Sequence, residues 1–332
     1  MNISVLGDGA WGSAIANLFA QNLHKVTLWG PFPDYMEEME KAKKNPRFLP
    51  QITFDDSIKF TPDIKTASAD ADLLVLALPS QYQRKLLTDL RPYFNNSKTI
   101  IINIGKGIEN DSLERLSQVT HDILGDCKYV VLSGPSHAEE VSKGTPTAVV
   151  AGCECRETGE LIQSLMMNKF FRVYYTDDYI GVELGGALKN VFAIAAGIAD
   201  GMSLGDNSKA ALVTRSIAEM SRFGKLLGGK YETFSGLSGI GDMLVTCYSK
   251  HSRNRFVGER LGQGAKMPEI LKELGMKVAE GIKTTKSAYE LAKKLNVETP
   301  VIDELYRAIY ENKNPSEILK DLMERSAKPE IY

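Results

Sequence analysis

The sequence predicts an α/β protein with a doubly wound, mainly parallel sheet in its N-terminal part and an all-helical C-terminal part. The apolar run 3–6 is followed at once by the glycine-rich turn 7–12 and then by an apolar helical pattern. Apolar strands alternate with helical patterns as far as about residue 175, which is typical of a parallel sheet covered on both faces. From Tyr179 onward the pattern is helical only.

The elements follow in order from apolar runs and turn residues. After the first strand, strands are predicted at 25–29, 72–78, 99–103, 129–132, 147–151 and 171–175. Helices are predicted at about 81–90 and 112–124, the second capped by Asp111 or Ser112, and a late helix begins at Asn314-Pro315. We therefore expect a Rossmann-type domain at 1–179 and a helical domain at 180–332, with a catalytic cleft between them.

Composition indicates a soluble, cytoplasmic protein. The 332 residues suffice for two domains, and a net charge of −2 gives no reason to expect nucleic acid or an anionic membrane as partner. The four cysteines form neither a disulfide framework nor a metal-ligand pattern, so no metal is expected. The N-terminus does not resemble a signal peptide. The apolar stretch 181–201 carries three charged residues, which indicates a buried helix and not a membrane span.

The turn Gly7-Asp8-Gly9-Ala10-Trp11-Gly12 predicts a dinucleotide site, because it lies between a strand and a helix. Gly7 permits the tight turn, Gly9 lets a pyrophosphate approach the backbone, and Gly12 allows the helix to pack closely on the strand. The free N–H groups and the dipole of the helix start then face the phosphates.

The end of the second strand leaves the choice of cofactor open. An acidic residue there commonly holds the ribose hydroxyls, and an arginine accommodates the 2′-phosphate of NADP. This strand ends in Gly30-Pro31-Phe32, with neither signal. Asp34 comes late, and capping of the following helix is its simpler interpretation. We expect NADH to be used at least as well as NADPH.

Two loops at predicted strand ends carry candidate ligand contacts. Lys106 lies between two glycines after the strand 99–103, where α/β sheets place such residues, and a solvated loop lysine is the alternative. It is not a P-loop lysine, because Gly107 follows it where Ser or Thr is required. The second loop contains Gly134 and Ser136, and a bare turn explains it equally well.

Lys189 lies in a helical stretch of small and apolar residues. Its side chain leans back over Gly185 and Gly186, which have no side chains, so its ammonium points toward a hollow. Burial would lower the pKa of this lysine and suit it to proton transfer. The alternatives are an ion pair with Glu183 or an ammonium that reaches the surface.

Two further segments precede helical patterns in the C-terminal part. The segment 235–242 is glycine-rich and ends in Asp242, which is either a functional carboxylate or a helix cap, with Thr246 on the same face. The segment 252–255 (SRNR) offers arginines for bidentate phosphate contacts, or is a basic, solvated turn.

Together these segments resemble the NAD(P)-dependent glycerol-3-phosphate dehydrogenases. The matching segments run in order from residue 5 to about 285: VLGDGAWGSA, NIGKGIE, LSGPSHAEEV, GVELGGALKNVFAIAAGIADG, TFSGLSGIGDMLVTC, HSRNR and AEGIKTT. The resemblance implies reduction of dihydroxyacetone phosphate to sn-glycerol 3-phosphate with NADH or NADPH, for glycerophospholipid synthesis, without a metal. A homodimer is one candidate assembly, which the sequence does not determine.

The resemblance also implies roles for individual residues. Lys189 matches the catalytic acid/base, and Lys106 and Asp242 match residues that act beside it. The implied substrate contacts are Lys106, Gly134, Ser136, Lys189, Asp242, Thr246, Ser252, Arg253 and Asn254. The implied cofactor contacts are Gly7, Gly9, Ala10, Trp11, Gly12, Phe32, Lys106, Ala138, Arg253 and Glu280.

Two departures and two alternatives accompany the resemblance. Position 10 is Ala where bacterial members often have Ser, and Pro31-Phe32 replaces a basic residue, which bears on NADPH use.

The alternatives are another two-domain dehydrogenase of a hydroxy acid or sugar acid, and a dinucleotide sensor without chemistry. The GIGD and SRNR segments count against the first, and Lys189, Lys106 and Asp242 count against the second.

Arg253→Ala tests the implied phosphate anchor. A charge-assisted hydrogen bond contributes about 1.5–3 kcal/mol, so the KM for dihydroxyacetone phosphate should rise roughly tenfold or more. Steady-state kinetics with unphosphorylated dihydroxyacetone is the control, and its loss should be much smaller. Equal losses for both substrates would contradict the role in phosphate binding.

Overall fold

The computed structural model describes residues 1–327 and 329–330, and its sheet strands all lie in the first 176 residues. The strands are β1 Asn2–Leu6, β2 Lys25–Trp29, β3 Lys44–Asn45, β4 Leu49–Thr53, β5 Lys59–Thr61, β6 Leu73–Leu76, β7 Ile100–Asn103, β8 Lys128–Ser133, β9 Thr147–Gly152 and β10 Phe171–Thr176. The helices between them are α1 Ala10–Gln21, α2 Pro33–Ala42, α3 Ile64–Ser68, α4 Ser80–Leu90, α5 Leu116–Leu124, α6 Ala138–Val141 and α7 Arg156–Met166.

The remainder of the described chain is helical, as the sequence predicts. Its helices are α8 Tyr179–Gly201, α9 Gly205–Leu226, α10 Tyr231–Phe234, α11 Asp242–Tyr248, α12 Arg253–Gly262, α13 Met267–Leu274, α14 Glu280–Lys294, α15 Pro300–Tyr310 and α16 Pro315–Met323. Two short turns of other helical types lie at Arg91–Tyr93 (3-10) and Leu237–Gly241 (π). The side chain of Asn314 caps α16, as expected.

The main sheet has the strand order β10-β9-β8-β7-β6-β1-β2-β5. Neighbouring strands are parallel except β8 and β9, so the fold class predicted from the sequence is confirmed. Strand order reverses between β1 and β6, and ligands of doubly wound sheets bind beyond the carboxyl ends of the strands at such a point. The turn 7–12 and the loops after β7 and β8 all lie at that edge.

Some predicted boundaries differ for local reasons. Helix α5 begins at Leu116 and not near Ser112, because the preceding loop closes on itself with Leu113 at positive φ and a bridge pairs Ile108 with Arg115. Asp34 lies in the first turn of α2, and Phe32 holds the capping position. The strand predicted at 72–78 covers only Leu73–Leu76. The sequence does not predict the hairpin β3–β4. Its residues are mostly polar and include Pro50, so they show no alternation of apolar and polar side chains.

Helix α8 is the core of the helical half. Its length and mean hydropathy of 1.4 would suit a membrane span, but its apolar window is wholly buried within the protein. It packs against α9, α11, α12, α14 and α15. The apolar composition of this helix therefore reflects burial by other helices, as expected.

Small residues let α8 and α12 approach each other closely. A Cβ on Gly197 of α8 would strike the carbonyl oxygen of Arg255, and one on Gly258 of α12 would strike that of Ile194. Gly201 likewise lies against the α12 backbone. Because backbone meets backbone here, the N-terminus of α12 is held in a defined position relative to the middle of α8.

A buried carboxylate joins α8 to the sheet half. Glu183 accepts hydrogen bonds from Arg115 Nη1 at 3.0 Å, from Ser117 N and Oγ at 2.8 and 2.7 Å, and from the Tyr129 hydroxyl at 3.3 Å. Glu183 is therefore not the partner of Lys189, and that alternative is wrong. The contacts instead hold the first turns of α8 against α5 and β8.

A second buried carboxylate holds the N-terminus of α15. Glu219 of α9 accepts the backbone N–H groups of Val301 and Ile302, each at 3.0 Å. These are among the N–H groups that a helix cannot satisfy internally. Burial raises the pKa of Glu219 to about 7, although the two N–H groups oppose that shift.

Glu219→Gln should become more stable relative to the wild type as pH rises. Between its ordinary pKa of 4.5 and about 7 the folded protein retains a proton that the unfolded chain releases, so the wild type loses stability across this window. The relative gain of the variant from pH 5 to pH 8 should be on the order of 2–3 kcal/mol. Urea unfolding at both pH values measures it.

The exposed carboxylate Glu232 provides the control. The difference in unfolding free energy between Glu232→Gln and the wild type should stay nearly constant over the same range. A constant difference for Glu219→Gln as well would show that burial does not hold its proton.

Candidate active site

The centre of the site is a carboxylate shared by two ammonium groups. Asp242 Oδ2 lies 2.5 Å from Lys106 Nζ, and Asp242 Oδ1 bonds to Lys189 Nζ. The Asp242 side chain is only 1% exposed, and those of Lys106 and Lys189 are 13% and 9% exposed. Three segments that lie far apart in sequence thus meet in one buried ionic cluster.

Backbone and hydroxyl donors complete the shell of Asp242. Its Oδ2 accepts bonds from Ser133 Oγ and from the Gly134 N–H, both at 3.2 Å. The Thr246 hydroxyl donates to Asp242 O at 2.6 Å and accepts a bond from Lys189 Nζ at 2.9 Å. Asp242 is therefore not a helix cap, since α11 continues the preceding π-helical turn and the Asp242 carboxylate is engaged elsewhere.

The sequence predicts that the Lys189 ammonium points into a hollow, and this expectation is wrong. The position of a Cβ on Gly185 lies 2.6 Å from Ser238 O, and that on Gly186 lies 2.6 Å from Ser133 Oγ. Neighbouring segments thus fill the space over both glycines. The glycines allow this close approach, which brings Asp242 to Lys189.

The pKa values of Lys189 and Asp242 both lie below their usual ranges, for different reasons. Burial lowers the pKa of Lys189 to about 8, helped by the charge of Lys106 and opposed by Asp242. Burial by itself would raise the pKa of Asp242, but the two ammonium groups outweigh it, so the pKa lies below its usual range. A pKa of about 8 suits Lys189 to proton transfer near neutral pH, and the lowered pKa of Asp242 favours its ionised form.

The start of α12 lies next to this cluster. Ser252 Oγ accepts the N–H of Arg255 at 3.1 Å and caps the helix, so the SRNR segment is more than a solvated turn. Asn254 Nδ2 donates to Asn190 Oδ1 at 2.8 Å, and Asn254 Oδ1 accepts the N–H of Gly281 at 2.9 Å. These bonds connect the residue after Lys189 to α12 and α14.

Arg253 and Glu280 are the first residues of α12 and α14. Arg253 is exposed at the first position of α12, and within residues 1–327 and 329–330 its guanidinium makes no ion pair or hydrogen bond. Burial raises the pKa of Glu280, and the charges of Arg253, Lys106 and Lys189 oppose that shift. Glu280 begins α14, and its neighbour Gly281 is hydrogen-bonded to Asn254 at the start of α12.

The glycine-rich turn has the geometry that a dinucleotide diphosphate requires. Gly7 has φ +139°, and a Cβ there would lie 2.6 Å from Ala77 O. A Cβ on Gly12 would strike Gly7 O, so α1 packs tightly on its own turn. A Cβ on Gly9 would meet nothing within 4 Å, and it would fill the space in front of the N-terminus of α1. The residues present therefore fit a bound diphosphate.

The other predicted contacts surround the same edge of the sheet. Ala10 and Trp11 are the first two residues of α1, and Ala138, the first residue of α6, packs against Ala14 of α1. Phe32 is exposed at the end of β2, and Ser136 Oγ donates to Gly134 O at 2.9 Å. Among the residues that the structure describes, none of these side chains forms a hydrogen bond with Asp242.

The sequence patterns do not predict two of the residues that form the site. Ser133 donates to Asp242, and Asn190 anchors Asn254. Ser133 directly precedes Gly134, and Asn190 directly follows Lys189, two residues that the sequence does indicate. Their roles depend on contacts between distant segments, and adjacency was the only available signal.

The strand order, the diphosphate turn and the lysine–carboxylate cluster define the class of the protein, a two-domain dehydrogenase that uses a nicotinamide dinucleotide. Two family models identify the particular family. Residues 2–159 match the NAD-dependent glycerol-3-phosphate dehydrogenase N-terminus, and residues 178–320 match the C-terminus of the same enzymes. The chain belongs to the NAD-dependent glycerol-3-phosphate dehydrogenase family.

Individual relatives are similar to this chain along its whole length. The glycerol-3-phosphate dehydrogenase [NAD(P)+] of Chlorobium phaeobacteroides is 46% identical over 334 residues, covering 100% of this chain and 99% of that relative. The enzyme of the same name from Staphylococcus haemolyticus is 46% identical and covers 99% of each chain. The crystal structure of glycerol-3-phosphate dehydrogenase from Coxiella burnetii has a TM-score of 0.94 at 36% identity, covering 98% of this chain and 99% of that one.

Proposed function

We propose that this protein catalyses reversible hydride transfer between NAD(P)H and dihydroxyacetone phosphate, giving sn-glycerol 3-phosphate. The observation that carries the proposal is the Lys106–Asp242–Lys189 cluster at the edge of the sheet where the diphosphate turn lies. Family membership along the full chain supports the same reaction. Such a product would supply glycerophospholipid synthesis.

The cofactor diphosphate would be held by the backbone of the glycine turn. The N–H groups of Ala10 and Trp11 begin α1 and have no intrahelical partner, and the space beside Gly9 admits the phosphates. Trp11, Phe32 and Ala138 would contact other parts of the dinucleotide. When bound, the nicotinamide supplies or accepts the hydride.

The substrate phosphate would bind at the start of α12. Arg253 is exposed there, and the helix N-terminus adds N–H groups and a favourable dipole. Ser252 and Asn254 shape this end of the helix through their own hydrogen bonds. A phosphate anchored here would hold the ketone carbon in place for reaction.

Lys189 and Lys106 would face the ketone oxygen, where negative charge develops during reduction. Both ammonium groups stabilise that charge, and Lys189 donates a proton to the oxygen and becomes a neutral amine. Solvent then restores the proton. Asp242 holds both ammonium groups in place, and its low pKa keeps it ionised throughout.

We assign residues 1–179 to the dinucleotide-binding domain and 180–332 to the helical domain, supported by the change of structure between Thr176 and Tyr179. The reaction partner is a small molecule. A cytoplasmic location is supported by the four cysteines, which are all free thiols.

Parallel assays of NADH and NADPH oxidation test the function against its alternatives. Turnover with dihydroxyacetone phosphate and little with 2-oxo acids is the expected result. Turnover with a 2-oxo acid alone would favour a hydroxy-acid dehydrogenase. Dinucleotide binding without turnover of any of these compounds would favour a sensor.

Lys189→Ala should lower kcat by about 10²–10⁴, the usual contribution of a positioned acid/base. Dinucleotide affinity should be retained, because the glycine turn that binds the phosphates is unaffected. Lys209→Met is the matched control, since Lys209 is also a buried lysine of the helical half but pairs with Asp200. Its kcat should stay within a fewfold of the wild type. Near-normal turnover of Lys189→Ala would remove this lysine from the mechanism.

The rate of reduction should fall as pH rises above about 8, because Lys189 must be protonated to donate. Oxidation of sn-glycerol 3-phosphate should rise over the same range. Asp242→Asn removes a charge that raises the pKa of Lys189, so the fall should move to lower pH. Initial rates from pH 6.5 to 9.5 measure both profiles, and a flat wild-type profile in both directions would contradict proton transfer by Lys189.

A further inference from the structure

The end of β2 lacks the acidic residue that commonly binds an adenosine ribose, but a carboxylate lies there nevertheless. It belongs to Asp8, in the glycine turn. The position of a Cβ on Gly30, directly after β2, lies 2.8 Å from both Asp8 Cγ and Oδ2 and 2.6 Å from Met36 Sδ. The Asp8 carboxylate thus occupies the place where a side chain at position 30 would begin.

We propose that Asp8 determines the choice between NADH and NADPH by recognising the adenosine ribose diol and repelling a 2′-phosphate. This inference rests on the proposed function, because it assumes that a dinucleotide binds with its diphosphate at the glycine turn. The adenosine half then extends toward the carboxyl end of β2, where Asp8 and Gly30 meet.

The contacts of Asp8 leave its carboxylate able to accept hydrogen bonds. Its backbone oxygen accepts a bond from Asn45 Nδ2 at 2.7 Å, and within the described part of the chain no side chain donates a hydrogen bond to its carboxylate, which interacts with its own backbone N–H. Burial raises the pKa of Asp8, and the Arg47 charge opposes that shift. A half-buried carboxylate of this kind gains from two ribose hydroxyl donors and loses from a second anion nearby.

Arg47 is the cation whose charge lowers the pKa of Asp8, and it has other partners. Its guanidinium lies 3.9 Å from the centre of the Tyr35 ring and 3.5 Å from Glu38 Oε2. The two carboxylates near Arg47 therefore outnumber it. Arg47 is therefore less available to pair with a 2′-phosphate than an arginine without carboxylate neighbours would be.

Gly30 and Asp8 also depend on each other. A side chain at position 30 would require the Asp8 carboxylate and the Met36 thioether to move, so the present position of Asp8 depends on the glycine. Asp34, the next acid along the chain, is exposed in the first turn of α2 and is the competing candidate. It provides a matched control, because it carries the same charge a few residues beyond the strand.

Calorimetric binding of ADP-ribose and 2′-phospho-ADP-ribose to the full-length protein tests the inference without turnover. The wild type should bind ADP-ribose about tenfold or more tightly, and Asp8→Asn should reduce that preference by about tenfold or more. Asp34→Asn should keep the wild-type preference. Asp8→Ala provides a second variant if Asp8→Asn does not fold, and the ratio of kcat/KM for NADH and NADPH should change in parallel.

The outcomes separate the inference from the proposed function. An unchanged preference in the Asp8 variants, or a wild type that prefers the 2′-phosphate, would overturn the role of Asp8 while leaving the dinucleotide site in place. A changed preference in Asp34→Asn alone would transfer the role to Asp34. Failure of the wild type to bind either ligand would overturn the dinucleotide site, and the inference with it.

Discussion

The Asp242 carboxylate, held between two ammonium groups, is the interaction on which the rest of the site depends. A charge this deeply buried would cost several kcal/mol without partners. Here it has Lys106 from the sheet half and Lys189 from α8, together with the Ser133 hydroxyl and the Gly134 N–H. The same carboxylate therefore joins the two halves of the protein and opposes the fall in the pKa of Lys189 that burial causes.

Bringing these charges together requires backbones to approach more closely than side chains usually allow. The π-helical turn that leads into Asp242 touches α8 at Gly185, and α12 touches it at Gly197. The small residues of α8 thus have a second purpose beyond filling a core. They place Lys189 against Asp242 on one side and set the position of the α12 N-terminus on the other, so one helix would position both the proposed acid and the proposed phosphate anchor.

Local patterns made much of this predictable. The sheet, the glycine turn, Lys106 and Lys189 each follow from a strand end, a glycine spacing or an unusual residue in an apolar helix. Contacts between distant segments were not predictable: Lys189 alone suggests a hollow, and only the fold shows that Asp242 meets it. The carboxylate of Asp8 beside Gly30 was missed for the same reason, since a turn residue and a strand end meet only after the sheet has formed.

The hydrogen bonds of the cluster separate the role of the Asp242 carboxylate from that of the two ammonium groups. The Asp242 carboxylate accepts bonds from two ammonium groups, a hydroxyl and a backbone N–H, which use nearly all its accepting capacity. An ionised, fully bonded carboxylate cannot act as the acid. Each ammonium has three N–H donors, and Lys189 directs two of them to Asp242 and Thr246. A donor therefore remains on Lys189 for a substrate oxygen, which supports our proposal that Asp242 is a positioning residue and that Lys189 is the acid.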